Sequence, residues 1–344
     1  MIARQDGQVV LVSGAIPGET VVARIERSGK GVGYARAVSI VDPSPDRREP
    51  FTDPLCGGCL YAHVAYPRQL TIKSEVIADA FARIARLALP APVVVTESPL
   101  DGYRMRARLH VRAGRIGFFR EGSHDICDAR ATRQLLNETA DVVDRLAAAL
   151  RSLRNDATAT LEISENVDAS ARVLHLEGAA PPDARSMAAW SDRAVTGVIV
   201  GREVVAGDPH VTDSLSVNDQ PFTLRRHVQS FFQGNRFLIG TLVTKVMAHV
   251  PAGAEVVDFY AGVGLFTIAA AATRGARVIA VEGDRAAARD LDANARGSNG
   301  AVEVVHQPVE SFTRRRDRAP DVVIIDPPRT GMSYTLSLHD ALPI

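Results

Sequence analysis

Apolar and polar residues follow two different rhythms along this chain, and the change falls near residue 223. Before it, most apolar runs are short and alternate with polar residues, the period-two pattern of half-buried strands. Residues 9–13 and 20–25 flank Ile16-Pro-Gly-Glu19, whose Pro-Gly marks a tight turn, and a glycine-rich stretch separates them from a third run at 34–40. These runs predict a small β-barrel over residues 1–42. Residues 42–55 are rich in Pro, Asp and Arg and read as a linker. In residues 66–86, Ile72, Val76, Ile77, Ala80 and Ile84 recur at helical spacing and predict one amphipathic helix. Strand-like segments follow at 104–112, 115–120, 158–164, 171–176 and 195–200, with a polar helix near 133–153.

From about 223 onward, strands and helices alternate. Asn235 is placed to cap a helix in which Leu238, Leu242, Val246 and Met247 share a face. A strand at 255–259, a helix at 265–273 closed by Gly275 and a strand at 277–281 come next. A helix at 285–295, with Asp284 as cap and Gly297 as stop, leads to strands at 301–305 and 321–325. Such alternation predicts a parallel, doubly wound sheet. The expected architecture is multidomain α/β. It comprises a small β-barrel (1–42), a linker with a cysteine pair and a helix (43–92), a central α+β domain (93–222) and a Rossmann-like domain (223–331).

Composition narrows the picture in three ways. Lys+Arg and Asp+Glu number 40 each, so any nucleic-acid footprint must be local. The longest apolar stretch, 256–272, is broken by Asp258 and glycines, and no membrane span or secretory leader is expected. With only Cys56, Cys59 and Cys127, a disulfide framework is not expected and a reducing cytoplasm is the simpler setting.

The chemistry concentrates after residue 254. An apolar run ends on Asp258, Gly262 and Gly264 follow, a helix starts at Leu265, and a second apolar run ends on Glu282. Glycines let backbone pass close under a ligand, the helix N-terminus is electropositive, and an acid at the second strand end can accept both hydroxyls of a ribose. A dinucleotide loop wants a third glycine where Thr267 stands, which points to a nucleoside cofactor without pyrophosphate, such as S-adenosylmethionine. Asp326-Pro-Pro-Arg329 follows the apolar run 322–325, so Asp326 and Arg329 stand at another strand end; the alternative is a plain helix-start turn. In residues 104–112, Arg104, Arg106, Arg108, His110 and Arg112 alternate with apolar residues and would share one strand face. That ladder suits a phosphate backbone, or else a solvated face with local ion pairs. Cys56-Gly-Gly-Cys59 is half a metal site, needing two more ligands, with Cys127 and His63 as candidates.

Taken together, these motifs resemble the S-adenosylmethionine-dependent RNA uracil-C5 methyltransferases, the 5-methyluridine family acting on tRNA or large-subunit rRNA. The likeness runs from residue 3 to about 331. It is carried by Ser230-Phe-Phe-Gln-Gly-Asn235, the 258–267 glycine loop, Glu282, Asn294-Ala-Arg296, Asp326-Pro-Pro-Arg-Thr-Gly331, Gly102–Arg108 and Cys56-Gly-Gly-Cys59. The resemblance implies cofactor contacts from Gln233, Tyr260, Gly262, Gly264, Glu282 and Asp326, an RNA partner, a TRAM-type barrel and a monomeric cytoplasmic enzyme. Two departures accompany it. The family's iron–sulfur cysteines would include Pro50 and a position near Thr132, so no [4Fe–4S] cluster is expected. The family's nucleophilic cysteine and its proton-removing glutamate lie beyond the Asp-Pro-Pro-Arg loop. Here no cysteine follows Cys127 and no glutamate follows Glu310, while residues 332–344 fit nothing in the family. The sequence is therefore expected to be a truncated, inactive form with no catalytic residue of its own. Alternatives are a methyltransferase for another RNA base, or a non-catalytic RNA-binding protein.

Overall fold

In a computed structural model, residues 1–29, 31–152, 158–178, 190, 194–312, 319–328 and 331–332 are described. They divide into two units, Met1–Glu97 with Gly117–Thr132, and Ser98–Ile116 with Arg133–Ile344. No helix among the described residues is long and apolar enough to cross a membrane.

The first unit opens with β1 (Ile2–Gln5), β2 (Gln8–Ser13), β3 (Thr20–Gly29) and β4 (Val32–Asp42), ordered β1-β2-β4-β3 in one sheet. Alternation in β2 and β4 turns Val10, Val12 and Ala35 onto Ala15 in a small core. Glu19 closes the sheet onto the linker: its carboxylate accepts from the Ile16 and Ser44 amides and pairs with Arg47 at 2.6 Å. Helix α1 (Tyr66–Ala80) runs into a π-helical turn at Phe81–Ala85 and ends at Arg86, whose φ of 54° is left-handed. The predicted apolar face does not form a core. Ile72 packs on Ile16 and Val64, whereas Val76, Ile77 and Ile84 are exposed, because only the first turns of the helix reach those partners.

The cysteine expectation needs correction. After β5 (Arg106–Arg112) of the second unit, β6 (Arg115–Phe119) pairs with β7 (Ile126–Asp128), placing Cys127 opposite Phe118. Cys56 bridges to Arg120 on the same hairpin, and a Cys56–Cys127 disulfide joins residues 71 apart in sequence, with Cα atoms 5.8 Å apart. Cys56 is therefore not available to a metal, and the pairing replaces both the proposed Cys56/Cys59 site and the expectation of no disulfide. Cys59 lies outside the bond, its Sγ 3.6 Å from the Thr132 carbonyl. Among the described residues, no group of three or more His, Cys, Asp or Glu is arranged to hold a metal.

In the second unit, β5 joins β8 (Ala159–Glu165), β9 (Arg172–Gly178), β10 (Gly197–Val200) and β11 (Glu203–Gly207) in the order β11-β10-β9-β8-β5. Ala107, Leu109 and Val111 of β5 are buried, as their alternation requires, and α2 (Asn137–Ser152) buries Val142, Val143, Leu146 and Leu150. The texture change near residue 223 falls inside a hairpin that the pattern did not reveal, β12 (His210–Val217) with β13 (Gln220–His227). Its turn residues Asn218 and Asp219 both have positive φ, 49° and 63°, the signature of a primed two-residue turn. Leu215, Val217, Phe222 and Leu224 of this hairpin share a core with residues of the Rossmann-like layer.

That layer contains α3 (Ile239–Met247), β14 (Glu255–Phe259), α4 (Leu265–Arg274), β15 (Arg277–Glu282), α5 (Arg285–Ala295), β16 (Val302–His306) and β17 (Val322–Ile325). The sheet order is β16-β15-β14-β17, with every neighbouring pair parallel. Asp284 caps α5 through the Ala286 and Ala287 amides, and Gly275 ends α4 at φ 62°. Two expected helix signals act elsewhere. The Asn235 side chain accepts from Phe237 and Leu238, a turn ahead of α3. Gly297 lies within the 3-10 turn Arg296–Ser298, which ends on left-handed Asn299.

Candidate functional site

The carboxyl ends of β14, β15 and β17 bring three acids into one region. In-register pairing sets Asp258 beside Ala280, one residue before the Phe259–Val281 pair, and Phe259 beside Ile325. Glu282 therefore ends one of the strands that flank β14, and Asp326 directly follows the other. Asp258 is 1% exposed. Its Oδ2 accepts from Thr267 Oγ1 at 2.6 Å, while its Oδ1 has no hydrogen-bond partner among the described residues. Burial, reinforced by the charges of Asp326 and Glu282, raises the Asp258 carboxyl to about 7. Incomplete solvation also raises Asp326. Such an electronegative strand-end cluster favours a cationic ligand.

The loop between β14 and α4 is shaped by three residues in the left-handed region: Tyr260 at φ 59°, Gly262 at 58° and Gly264 at 96°. The two glycines serve different ends. A Cβ on Gly262 would meet nothing within 4 Å, so the backbone there faces open space. A Cβ on Gly264 would come within 2.7 Å of Leu291 Cδ1, so this glycine allows α4 and α5 to approach. Glu282 is held by two backbone donors, Gly262 N at 2.7 Å to Oε2 and Asp284 N at 2.6 Å to Oε1. The acid is thus oriented against the very glycine that leaves space above the loop.

Sequence reasoning placed Asp258 and Thr267 in this loop without giving them a role in the site, and missed Glu310. The Tyr260 hydroxyl donates to Glu310 Oε1 at 2.8 Å, and desolvation together with that carboxylate pushes the phenol up to about 12. Glu310 follows β16, the fourth strand end, so the rule that ligands gather at carboxyl ends was the available signal. Gln233 stands on the connection between β13 and α3, half-buried. That connection meets the start of the basic strand, where Met105 N donates to Gly234 O at 3.0 Å and Arg104 bridges to Asn235.

The basic residues are not equivalent. Arg104 lies outside β5 and donates to Gln134 Oε1 at 2.5 Å. Arg106 is half-buried and reaches Gln229 O at 3.3 Å. Arg108 is exposed with Glu162 3.8 Å away, and Arg112 is exposed at the far end. Arg329 lies outside the described residues, as do residues 333–344.

Comparison with known proteins decides the family. A 23S rRNA (uracil(1939)-C(5))-methyltransferase RlmD of Bordetella avium is 30% identical over 96% of this chain and 74% of its own length. The chain belongs to the RNA uracil-C5 methyltransferase family. An uncharacterized RNA methyltransferase of Corynebacterium efficiens is also 30% identical, over 96% of this chain and 76% of that protein. Residues 241–342 match the family model described as the TRM5/TYW2 methyltransferase domain. The fold is shared with the Pyrococcus abyssi tRNA (uracil-54, C5)-methyltransferase solved with S-adenosyl-L-homocysteine, at a TM-score of 0.72 and 23% identity, over 94% of this chain and 80% of that one. The cluster-bearing pattern of some family members does not fit these residues: an iron–sulfur centre of that type needs four thiolates, and this chain has three cysteines with two joined to each other.

Proposed function

We propose that this protein binds S-adenosylmethionine at the ends of β14, β15 and β17 and belongs to an enzyme, monomeric and cytoplasmic, that methylates C5 of a uridine in RNA. Large-subunit rRNA is the favoured substrate, because relatives matched along nearly the whole chain carry that substrate in their names. The observation that carries the reading is the Glu282 carboxylate, fixed by Gly262 N and Asp284 N beside open space. S-adenosylmethionine supplies an electrophilic methyl on a sulfonium. Glu282 is assigned the ribose hydroxyls, Gly262 and Gly264 the close backbone approach, and Gln233, Tyr260 and Asp326 further contacts. Asp258 contributes negative potential beneath the loop.

Calorimetry with S-adenosylhomocysteine tests this assignment. Glu282→Ala should weaken binding by about 1.5–3 kcal/mol, the range for hydrogen bonds to a charged group. Unchanged affinity would remove Glu282 from the site. In the same preparation, tritium transfer to unmodified rRNA should stay at background, since the 344-residue polypeptide has no cysteine after Cys127 to add to uracil C6. Turnover would refute that part of the reading.

For RNA we propose Arg104, Arg106, Arg108 and Arg112 of the basic strand, together with Arg329. Arg104 and Arg106 spend donors on protein acceptors, so Arg108 and Arg112 should carry most of the phosphate contact. Replacing both by Gln should reduce the salt slope of RNA binding by about 1.5–2 units. An unaltered slope would assign the ladder to ion pairs such as Arg108–Glu162.

A further inference from the structure

Asp290 is a buried carboxylate that the proposed binding contacts do not use. It lies on α5, 4% exposed, among Ala287, Ala288 and Leu291, which already supply that helix with apolar packing. Burying a carboxylate costs several kcal/mol unless its oxygens are well satisfied. Here one oxygen is satisfied twice: Asp290 Oδ2 accepts from His227 N at 2.7 Å and from Ser230 Oγ at 2.6 Å. The other oxygen faces His210 Nε2 at 3.6 Å, and His210 Nδ1 is in turn 2.9 Å from Asp208 Oδ1.

These bonds continue a pattern begun one turn further along the helix. Asn294 accepts from Arg225 N at 2.8 Å and donates to Arg225 O at 2.9 Å. Side chains of α5 thus satisfy the edge of β13 as a neighbouring strand would, first at Arg225, then at His227. Asp290 carries the pattern past the end of the strand to Ser230, within the irregular connection that bears Gln233.

The far end of that connection is tied as firmly. Arg236, 7% exposed, donates to Gly102 O at 3.0 Å and Val167 O at 3.0 Å, pairs with Glu165, and its amide donates to Tyr103 O at 2.9 Å. Between the two ties Phe232 is buried, whereas Phe231 is 66% exposed and Gln233 is half-buried. The helix that carries Asp290 is also the helix whose cap, Asp284, orients Glu282.

We propose that Asp290 is a positioning residue for cofactor binding. It fixes residues 230–235, and so Gln233, to the same helix that orients Glu282. This inference rests on the assignment of Gln233 to the S-adenosylmethionine site. If it holds, Asp290 sets the affinity of the folded protein, not merely its stability.

A double-mutant cycle on the full chain, with S-adenosylhomocysteine affinity read by calorimetry, tests the inference. Asp290→Ala should weaken binding on the order of 10-fold, and Ser230→Ala by about 3-fold, for the loss of one or two charge-assisted bonds. Asp290→Asn, whose amide oxygen can accept both bonds, should restore affinity to within about 3-fold of wild type. In a Gln233→Ala background, Asp290→Ala should have little additional effect, because both changes act through one side chain. Wild-type protein that fails to bind, or Gln233→Ala that binds normally, would overturn the site assignment itself. A weakened Gln233→Ala with full affinity in Ser230→Ala and Asp290→Asn would be read alongside Asp290→Ala: unchanged affinity there, additivity in the cycle, or an Asn no better than Ala would overturn the role of Asp290. Should Asp290→Ala not fold, normal binding by Ser230→Ala would overturn it.

Discussion

Arg226→Met is expected to destabilise the second unit by about 3–5 kcal/mol, the cost of removing one partner from a buried ion pair. The Arg226 side chain is wholly buried and donates through Nε to Asp213 Oδ2 at 2.6 Å. It also donates to Ser164 Oγ and the Glu165 carbonyl, and its guanidinium lies 4.3 Å from the centre of the Phe232 ring. Methionine can fill much of the volume but leaves Asp213 buried, with only the Val167 amide among the described residues donating to its carboxylate, at 2.8 Å. Arg277→Ala is the contrast, since Arg277 is 74% exposed in its pair with Glu255 and should cost less than about 1 kcal/mol. Urea unfolding followed by fluorescence of Trp190, the only tryptophan, reports on this unit. A loss below about 1 kcal/mol for Arg226→Met would mean that this network is not the stabilising centre its burial suggests.

The contribution of Asp258 to stability should fall as pH rises through the range from about 4 to 7, and Asp258→Asn should remove that contribution. Burial, with the charges of Asp326 and Glu282, holds the folded Asp258 carboxyl at about 7, above the 3.8 of an unperturbed aspartate. Between those values the folded chain binds a proton that the unfolded chain releases, so acid favours folding and alkali removes that contribution. A shift of that size corresponds to about 4 kcal/mol across the window. Asparagine can still accept from Thr267 and has no charge to bury. The measurement is the difference in unfolding free energy between wild type and Asp258→Asn at pH 5 and at pH 7.5. Parallel curves would show that Asp258 does not titrate there. The same charge has a functional counterpart. A sulfonium cofactor favours the ionised carboxyl, so S-adenosylmethionine affinity should rise from pH 6 to 8 more steeply than that of uncharged-sulfur S-adenosylhomocysteine.

Much of the candidate site was legible because it is written in local chemistry. The run to Asp258, the glycines at 262 and 264, the run to Glu282 and the Asp284 cap each depend on residues within a few positions. Backbone preferences at that range survive in almost any tertiary setting, so the strand–loop–helix order and the parallel sheet could be anticipated. The alternation of residues 104–112 likewise foretold which side of β5 is buried. It could not foretell that Arg104 and Arg106 spend donors on Gln134 and Gln229, residues far away in the chain.

What remained hidden has one physical cause. In a sequence, Asp213, Arg226, Glu165, Arg236 and Asp290 look like ordinary solvated charges, because nothing local distinguishes a charge facing water from one whose partner lies from 13 residues away, as for Asp213 and Arg226, to 71, as for Glu165 and Arg236. The Cys56–Cys127 bond is of the same kind, set by a hairpin that returns to Cys56 after 71 residues. The face of α1 failed for the complementary reason: period alone says which residues could be buried together, but a partner surface must exist to bury them. By itself, therefore, the sequence determined most of the elements, their order and the glycine loop between β14 and α4. Only the tertiary structure decided which charges lose water, which partners compensate them, and how the Gln233 connection is held to the helix that orients Glu282.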